Sequence, residues 1–82
     1  MLKYGKEFFF MRTFLDKHLQ KKRTYKEISD IAGIYPSTLY RWLEGKHYPN
    51  VYSLKLICIA LERVTGTNRN ELIIDYFTNH VE

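Results

Sequence analysis

Cysteine is nearly missing from this chain: Cys58 stands alone, which excludes an internal disulfide and any zinc site built on several thiolates. Cys58 lies inside the apolar run from 56 to 61, so it reads as core packing in a reducing compartment rather than as a reactive thiol. Long hydrophobic runs are missing as well. The longest early one, residues 8 to 11, is too short for the apolar segment of a signal peptide and far too short to span a bilayer, so no membrane partner is expected and a cytoplasmic location is. There is no strand-like alternation, no internal repeat and no low-complexity segment. Catalytic groupings are lacking too: His18, His47 and His80 are scattered without paired spacing, no glycine-rich phosphate loop appears, and the carboxylates fall on separate predicted helices. The sequence therefore predicts neither an enzyme nor a cofactor or metal site.

What remains is one small domain of 82 residues, long enough for a core but with little surplus stability. Its net charge of +4 is unevenly spread. Residues 1 to 26 hold eight Lys or Arg (Lys3, Lys6, Arg12, Lys17, Lys21, Lys22, Arg23, Lys26) against Glu7 and Asp16, a balance of +6; the other 56 residues hold five against seven, a balance of −2. The positive field belongs to the first third.

Apolar spacing and punctuation predict five helices. The first, over about 6 to 21, places Phe8, Met11, Leu15, His18 and Leu19 on one face. Phe9, Phe10 and Phe14 do not all fit there, and are expected under a folded-back arm or at a subunit contact. Thr24 and Glu27 have the spacing of a capping box, so a short helix begins near Tyr25, with Ile28, Ile31 and Ala32 as its stripe and Gly33 as its stop. Ile34 plugs the turn. Pro36 suits the first position of the next helix, Leu39, Trp42 and Leu43 form its buried stripe, and Gly45 closes it. Asn50 is placed to cap a fourth helix over about 51 to 63, carrying Leu54, Ile57, Cys58 and Leu61, with Ile59 and Ala60 widening the arc; this should be the most buried helix. Thr65 to Thr67 stops it, and Asn68 with Glu71 repeats the capping-box spacing. The fifth helix, within about 68 to 79, puts Leu72, Ile73, Tyr76 and Phe77 on one side and Ile74 on another.

With these residues laid out, the stretch from about 24 to 61 resembles the Cro/C1-type (XRE-like) helix-turn-helix family of phage repressors and bacterial regulators. The resemblance rests on Gly33 at the turn, on Ser37-Thr38-Leu39, Trp42-Leu43 and Glu44-Gly45 as recognition helix and stop, on the loop from Lys46 to Asn50, and on Ser53-Leu54, Ile57 and Ala60-Leu61 in the following helix. Each element is weak alone, but their joint spacing is specific. Three positions depart from the family pattern: Tyr25 stands where a Gln is common, Ser29 where an Ala faces the turn, and Tyr35 where a capping side chain usually opens the recognition helix. The implied fold is all-α, a five-helix bundle of the lambda-repressor-like kind, in one domain over 1–82 with its core at about 6–63. The implied function is a sequence-specific DNA-binding regulator, a repressor, that inserts residues 36–44 into the major groove of double-stranded DNA.

In such a docking, burial of Leu39, Trp42 and Leu43 leaves Ser37, Tyr40 and Arg41 outward as base readers, with Tyr35 at the leading edge. Arg41 carries the donor fork that matches guanine O6 and N7. Lys22, Arg23 and Lys26, near the head of the second helix, are candidate phosphate ligands. By the resemblance, Lys46, His47, Tyr48 and Asn50 lie along the phosphate backbone, where contacts set register rather than sequence. Also by the resemblance, the fifth helix serves homodimerisation through Leu72, Ile73, Tyr76 and Phe77; Phe9 and Phe10 offer a second place for it. The aromatic surplus leaves an alternative open: an interaction module, such as an antitoxin or adaptor, whose first or last helix binds a protein partner.

Overall fold

The computed structural model describes residues 10–80. Among them the chain is all-helical and without strands, and its five helices follow the predicted order: α1 (Phe10–Leu19), α2 (Tyr25–Ala32), α3 (Pro36–Leu43), α4 (Val51–Thr65) and α5 (Arg69–Asn79). The expected helix start near residue 6, and the expectations for Phe8 and Phe9, lie outside the described residues. No helix among the described residues is long and apolar enough to cross a membrane.

The fourth helix is the hub. It packs against α5, α2 and α1, while α3 closes the remaining side against α1 and α2. Leu54, Ile57, Cys58, Ala60 and Leu61 are all buried, so two neighbouring stripes of this helix face protein. Burial pushes the Cys58 thiol up to about 12, which leaves it protonated and inert as expected. Asn50 caps α4 by accepting from the Ser53 N–H at 2.7 Å. The helix runs to Thr65, two residues past the predicted end, and closes on left-handed Gly66 at φ 81°.

Several expectations are corrected by packing. Phe14, expected to fall off the core face of α1, is fully buried, because Tyr76 and His80 cover that flank with ring centroids at 5.1 and 5.4 Å. His18, expected on that core face, is only partly buried and is paired with Asp75. Ile31, expected on the buried stripe of α2, is 38% exposed; Ile28 alone carries the stripe inward, and Ala32 packs at its margin. In α5, Leu72 and Tyr76 are buried within the domain, so neither is free to meet a second copy. Burial also pushes the Tyr76 phenol up to about 12. Ile73 is partly buried, and the outward apolar groups are Ile74 and Phe77. At the start of α5, Asn68 accepts from the Asn70 N–H at 2.8 Å, the expected capping box with Glu71 does not form, and another carboxylate serves the next backbone N–H. Glu62 accepts from the Arg69 backbone N–H and from its Nε, bonds that hold the Glu62 carboxyl below its ordinary range.

The first helix ends at Leu19 rather than near residue 21, because Gln20 and Lys21 are both left-handed, at φ 51° and 63°. The Gln20 N–H still bonds to the Asp16 carbonyl at 3.1 Å, which makes residue 20 the left-handed closing residue of α1, a place that favours glycine. Gln20→Gly is therefore expected to raise stability by about 0.5–1 kcal/mol, visible as a higher urea midpoint at unchanged slope. A lower midpoint would show that the Gln side chain contributes more than its backbone costs.

A charged clasp joins α1 to α5. Asp75 accepts from Lys17 Nζ at 2.9 Å and from Asn79 Nδ2 at 2.7 Å through Oδ1, and pairs with His18 Nε2 at 2.7 Å through Oδ2. Desolvation works against its charge, but the bonds from Lys17, Asn79 and His18 prevail and hold the carboxyl far below its ordinary value. Thr13 Oγ1 lies 3.2 Å from His80 Nδ1, while His80 Nε2 is buried without a hydrogen bond, 3.3 Å from Asp75 Oδ2. Burial lowers the His80 pKa, with Asp75 opposing and Lys17 reinforcing that trend.

Candidate nucleic-acid interface

The unit formed by α2 and α3 is built by local bonds. Thr24 Oγ1 accepts from the Glu27 N–H at 3.2 Å, and Glu27 accepts from the Thr24 N–H at 2.8 Å, so the predicted capping box is complete. At the other end of α2, left-handed Gly33 at φ 73° bonds to the Asp30 carbonyl and Ile34 to the Ser29 carbonyl, a two-bond closure that satisfies two orphan acceptors. The same closure recurs after α3: Gly45 at φ 77° bonds to Trp42 and Lys46 to Arg41. Ser29 is fully buried where α2 meets the turn, and its hydroxyl donates to the Lys26 carbonyl at 2.8 Å, so the site holds no unpaired polar group. The third helix opens on Tyr35 in extended conformation with no side-chain cap and with Pro36 at its first turn.

Leu39, Trp42 and Leu43 are buried, and this inward stripe leaves Ser37, Tyr40 and Arg41 outward, all exposed on one face of α3. Tyr35 stands beside the helix start at 79% exposure. Among the described residues Arg41 has no ion-pair or side-chain hydrogen-bond partner, so its five donors remain available; the nearby Glu44 pairs with Lys46 at 3.4 Å.

The basic residues around the unit are largely paired. Arg23 contacts Glu27 at 3.7 Å, and Lys26 contacts Asp30 at 3.0 Å. These pairs are exposed, and such contacts hold by at most about 1 kcal/mol, so they yield readily to a stronger anion. Lys22 and His47 are exposed. Tyr48 is not a free loop residue: it stacks on Phe10 at 5.7 Å, which gives Phe10 a place within the domain. Asn50 spends its side-chain oxygen on the α4 cap, leaving only its amide N–H groups for a phosphate.

Two residues of α1 that the sequence did not single out belong to this unit. Arg12 Nε donates to the Leu43 carbonyl at 3.3 Å, at the C-terminal end of α3, and its guanidinium lies over the Tyr25 ring, 5.9 Å from the centroid. Asp16 accepts from the Tyr25 hydroxyl. Burial first, then the bond and charge of Asp16, raise the Tyr25 pKa, so the phenol stays neutral. The Tyr25 ring meets Tyr40 edge to face, with centroids 6.4 Å apart and an interplanar angle of 84°. Tyr25 thus acts inside the protein and does not offer its hydroxyl to a backbone phosphate. Its partners lie thirteen and nine residues before it and fifteen after it, beyond what helical spacing alone reveals. Comparison with protein-family models, with curated proteins and with solved structures gives no match for this chain.

Proposed function

We propose that this chain is a sequence-specific DNA-binding regulator of the helix-turn-helix kind, acting as a repressor in the cytoplasm, with α3 entering the major groove. The observation that carries the proposal is the outward face of α3, where Ser37, Tyr40 and Arg41 stand exposed and Arg41 has no partner among the described residues. Arg41 pairs with guanine through two parallel N–H bonds. Ser37 and Tyr35 flank it. Lys22, Arg23, Lys26, Lys46 and His47 grip phosphates on either side of the groove, with Arg23, Lys26 and Lys46 exchanging a weak carboxylate partner for a phosphate. A homodimer reads two half-sites about one helical turn apart. With Leu72 and Tyr76 in the core, self-association falls to Ile74 and Phe77, which are 64% and 51% exposed.

Selection of bound sequences from random DNA, followed by anisotropy titration on the enriched site, tests the proposal. Enrichment of a sequence with two related half-sites is expected. Arg41→Ala is expected to cost about 1–3 kcal/mol of discrimination at one guanine while leaving low-salt binding to unrelated DNA intact. Absence of any enriched sequence overturns the function, and equal affinity of wild type and Arg41→Ala for the enriched site removes Arg41 as a reader.

A further inference from the structure

Resting on that DNA-binding reading, we infer that α3 selects thymine at one position of its site through contact between the C5-methyl group and the ring of Tyr40. Arg12, Asp16 and Tyr25 are the positioning residues for that ring. Tyr40 shares the outward face of α3 with Ser37 and Arg41, which lie three residues before it and one after it. It is 45% exposed, so part of the ring is free while the rest lies against the edge-to-face contact with Tyr25.

Tyr25 is itself held at two places. Its hydroxyl is bonded to Asp16 and its face lies under the Arg12 guanidinium, while Arg12 is tied back to Leu43, the last residue of α3. The result is a closed circuit from α1 through α2 to α3 that fixes the direction in which the Tyr40 ring points. A side chain held in this way has little rotamer entropy left to lose on binding.

What such a surface can read follows from its chemistry. A phenyl face has no donor or acceptor for the hydrogen-bonding edges of the bases, and the thymine methyl is the apolar group that the four bases place in the major groove. The cavity beside Tyr25 and Tyr40 is lined by Asp16 together with Lys21 and Arg23, so the charge suited to a phosphate sits on those two cations and leaves the Tyr40 ring to the bases. Tyr40 is therefore matched to the groove floor rather than to the backbone. Arg41, with its guanine-matching fork, sits next to it. The half-site predicted from this pair combines a guanine with at least one nearby thymine.

The test places the change in the DNA, so protein folding does not enter. In the enriched site each thymine is replaced in turn by deoxyuridine, which removes only the methyl group. One thymine is expected to give about fourfold weaker binding on replacement, the size of one buried methyl group. Tyr40→Phe should keep that thymine-to-uracil ratio, Tyr40→Ala should bring it close to one, and Tyr25→Phe, which frees the ring from Asp16, should lower it. If no sequence is enriched, the DNA-binding function falls and this inference with it. If a sequence is enriched but every uracil site binds as well as its parent, only the thymine inference falls. Loss of affinity in Tyr40→Phe equal to that in Tyr40→Ala would also overturn it, by showing that the hydroxyl makes the contact.

Discussion

Phe14→Ala is expected to lower the unfolding free energy by about 4 kcal/mol, as measured by urea denaturation. The ring is fully buried and meets three others edge-on: His18 at 5.0 Å, Tyr76 at 5.1 Å and His80 at 5.4 Å. Removing it leaves a cavity between α1 and α5, in addition to losing transfer free energy, and each aromatic pair contributes a further ~0.5–1.5 kcal/mol. A domain of this length has roughly 4–12 kcal/mol in total. The substitution therefore removes between about a third and all of that stability. A loss below about 1.5 kcal/mol would mean that the ring does not occupy the core.

Asp75→Ala is expected to destabilise by about 3 kcal/mol, because it leaves Lys17 and His18 without their carboxylate and Asn79 without its acceptor. The Asp75 side chain is 15% exposed but that of Lys17 is 50% exposed, so solvent screens the lysine pair and the larger share of the effect comes from the shielded His18 pair. The pH dependence has a definite sign. Asp75 has a folded pKa below its ordinary 3.8, so its contribution is whole at neutral pH, begins to be lost as pH falls below 3.8 and is gone only below the folded value. His80 also has a folded pKa below its ordinary 6.5, so the unfolded chain takes up that proton more readily and stability declines as pH drops below 6.5. The urea midpoint should fall in two stages, one below pH 6.5 and one that begins near pH 3.8 and continues below pH 3. In Asp75→Ala the lower stage should shrink to the part that Glu62 contributes. A midpoint that is flat from pH 7 to pH 3 in the parent protein would remove the clasp as a contributor.

The clasp also bears on the proposed function. It anchors α5 to α1, the helix whose Arg12 and Asp16 hold Tyr25, so α5 and the unit of α2 and α3 share a support.

By itself the sequence determined the helical class, the order of the helices and most of their ends. Those features are local: the Thr24–Glu27 box, the left-handed glycines at 33, 45 and 66, Pro36 and the Asn50 cap act over a few residues. It also determined the inward stripe of α3, since Leu39, Trp42 and Leu43 have one periodicity and no competitor. Tertiary structure decided what depends on which helix covers a flank. Phe14 moved inward because Tyr76 and His80 lie over it, and Leu72 and Tyr76 moved from a supposed surface into the core. The pairing of His18 and His80 with Asp75 joins residues 57 apart in the chain in the first case. The link from Arg12 to Leu43 spans 31. No periodicity marks such partners, because their contact depends on the angle at which helices cross rather than on any residue's own preference. The ends of the helices are written in nearby residues; the setting of Tyr40, on which the proposed reading depends, is made only when α1 packs beside α2 and α3.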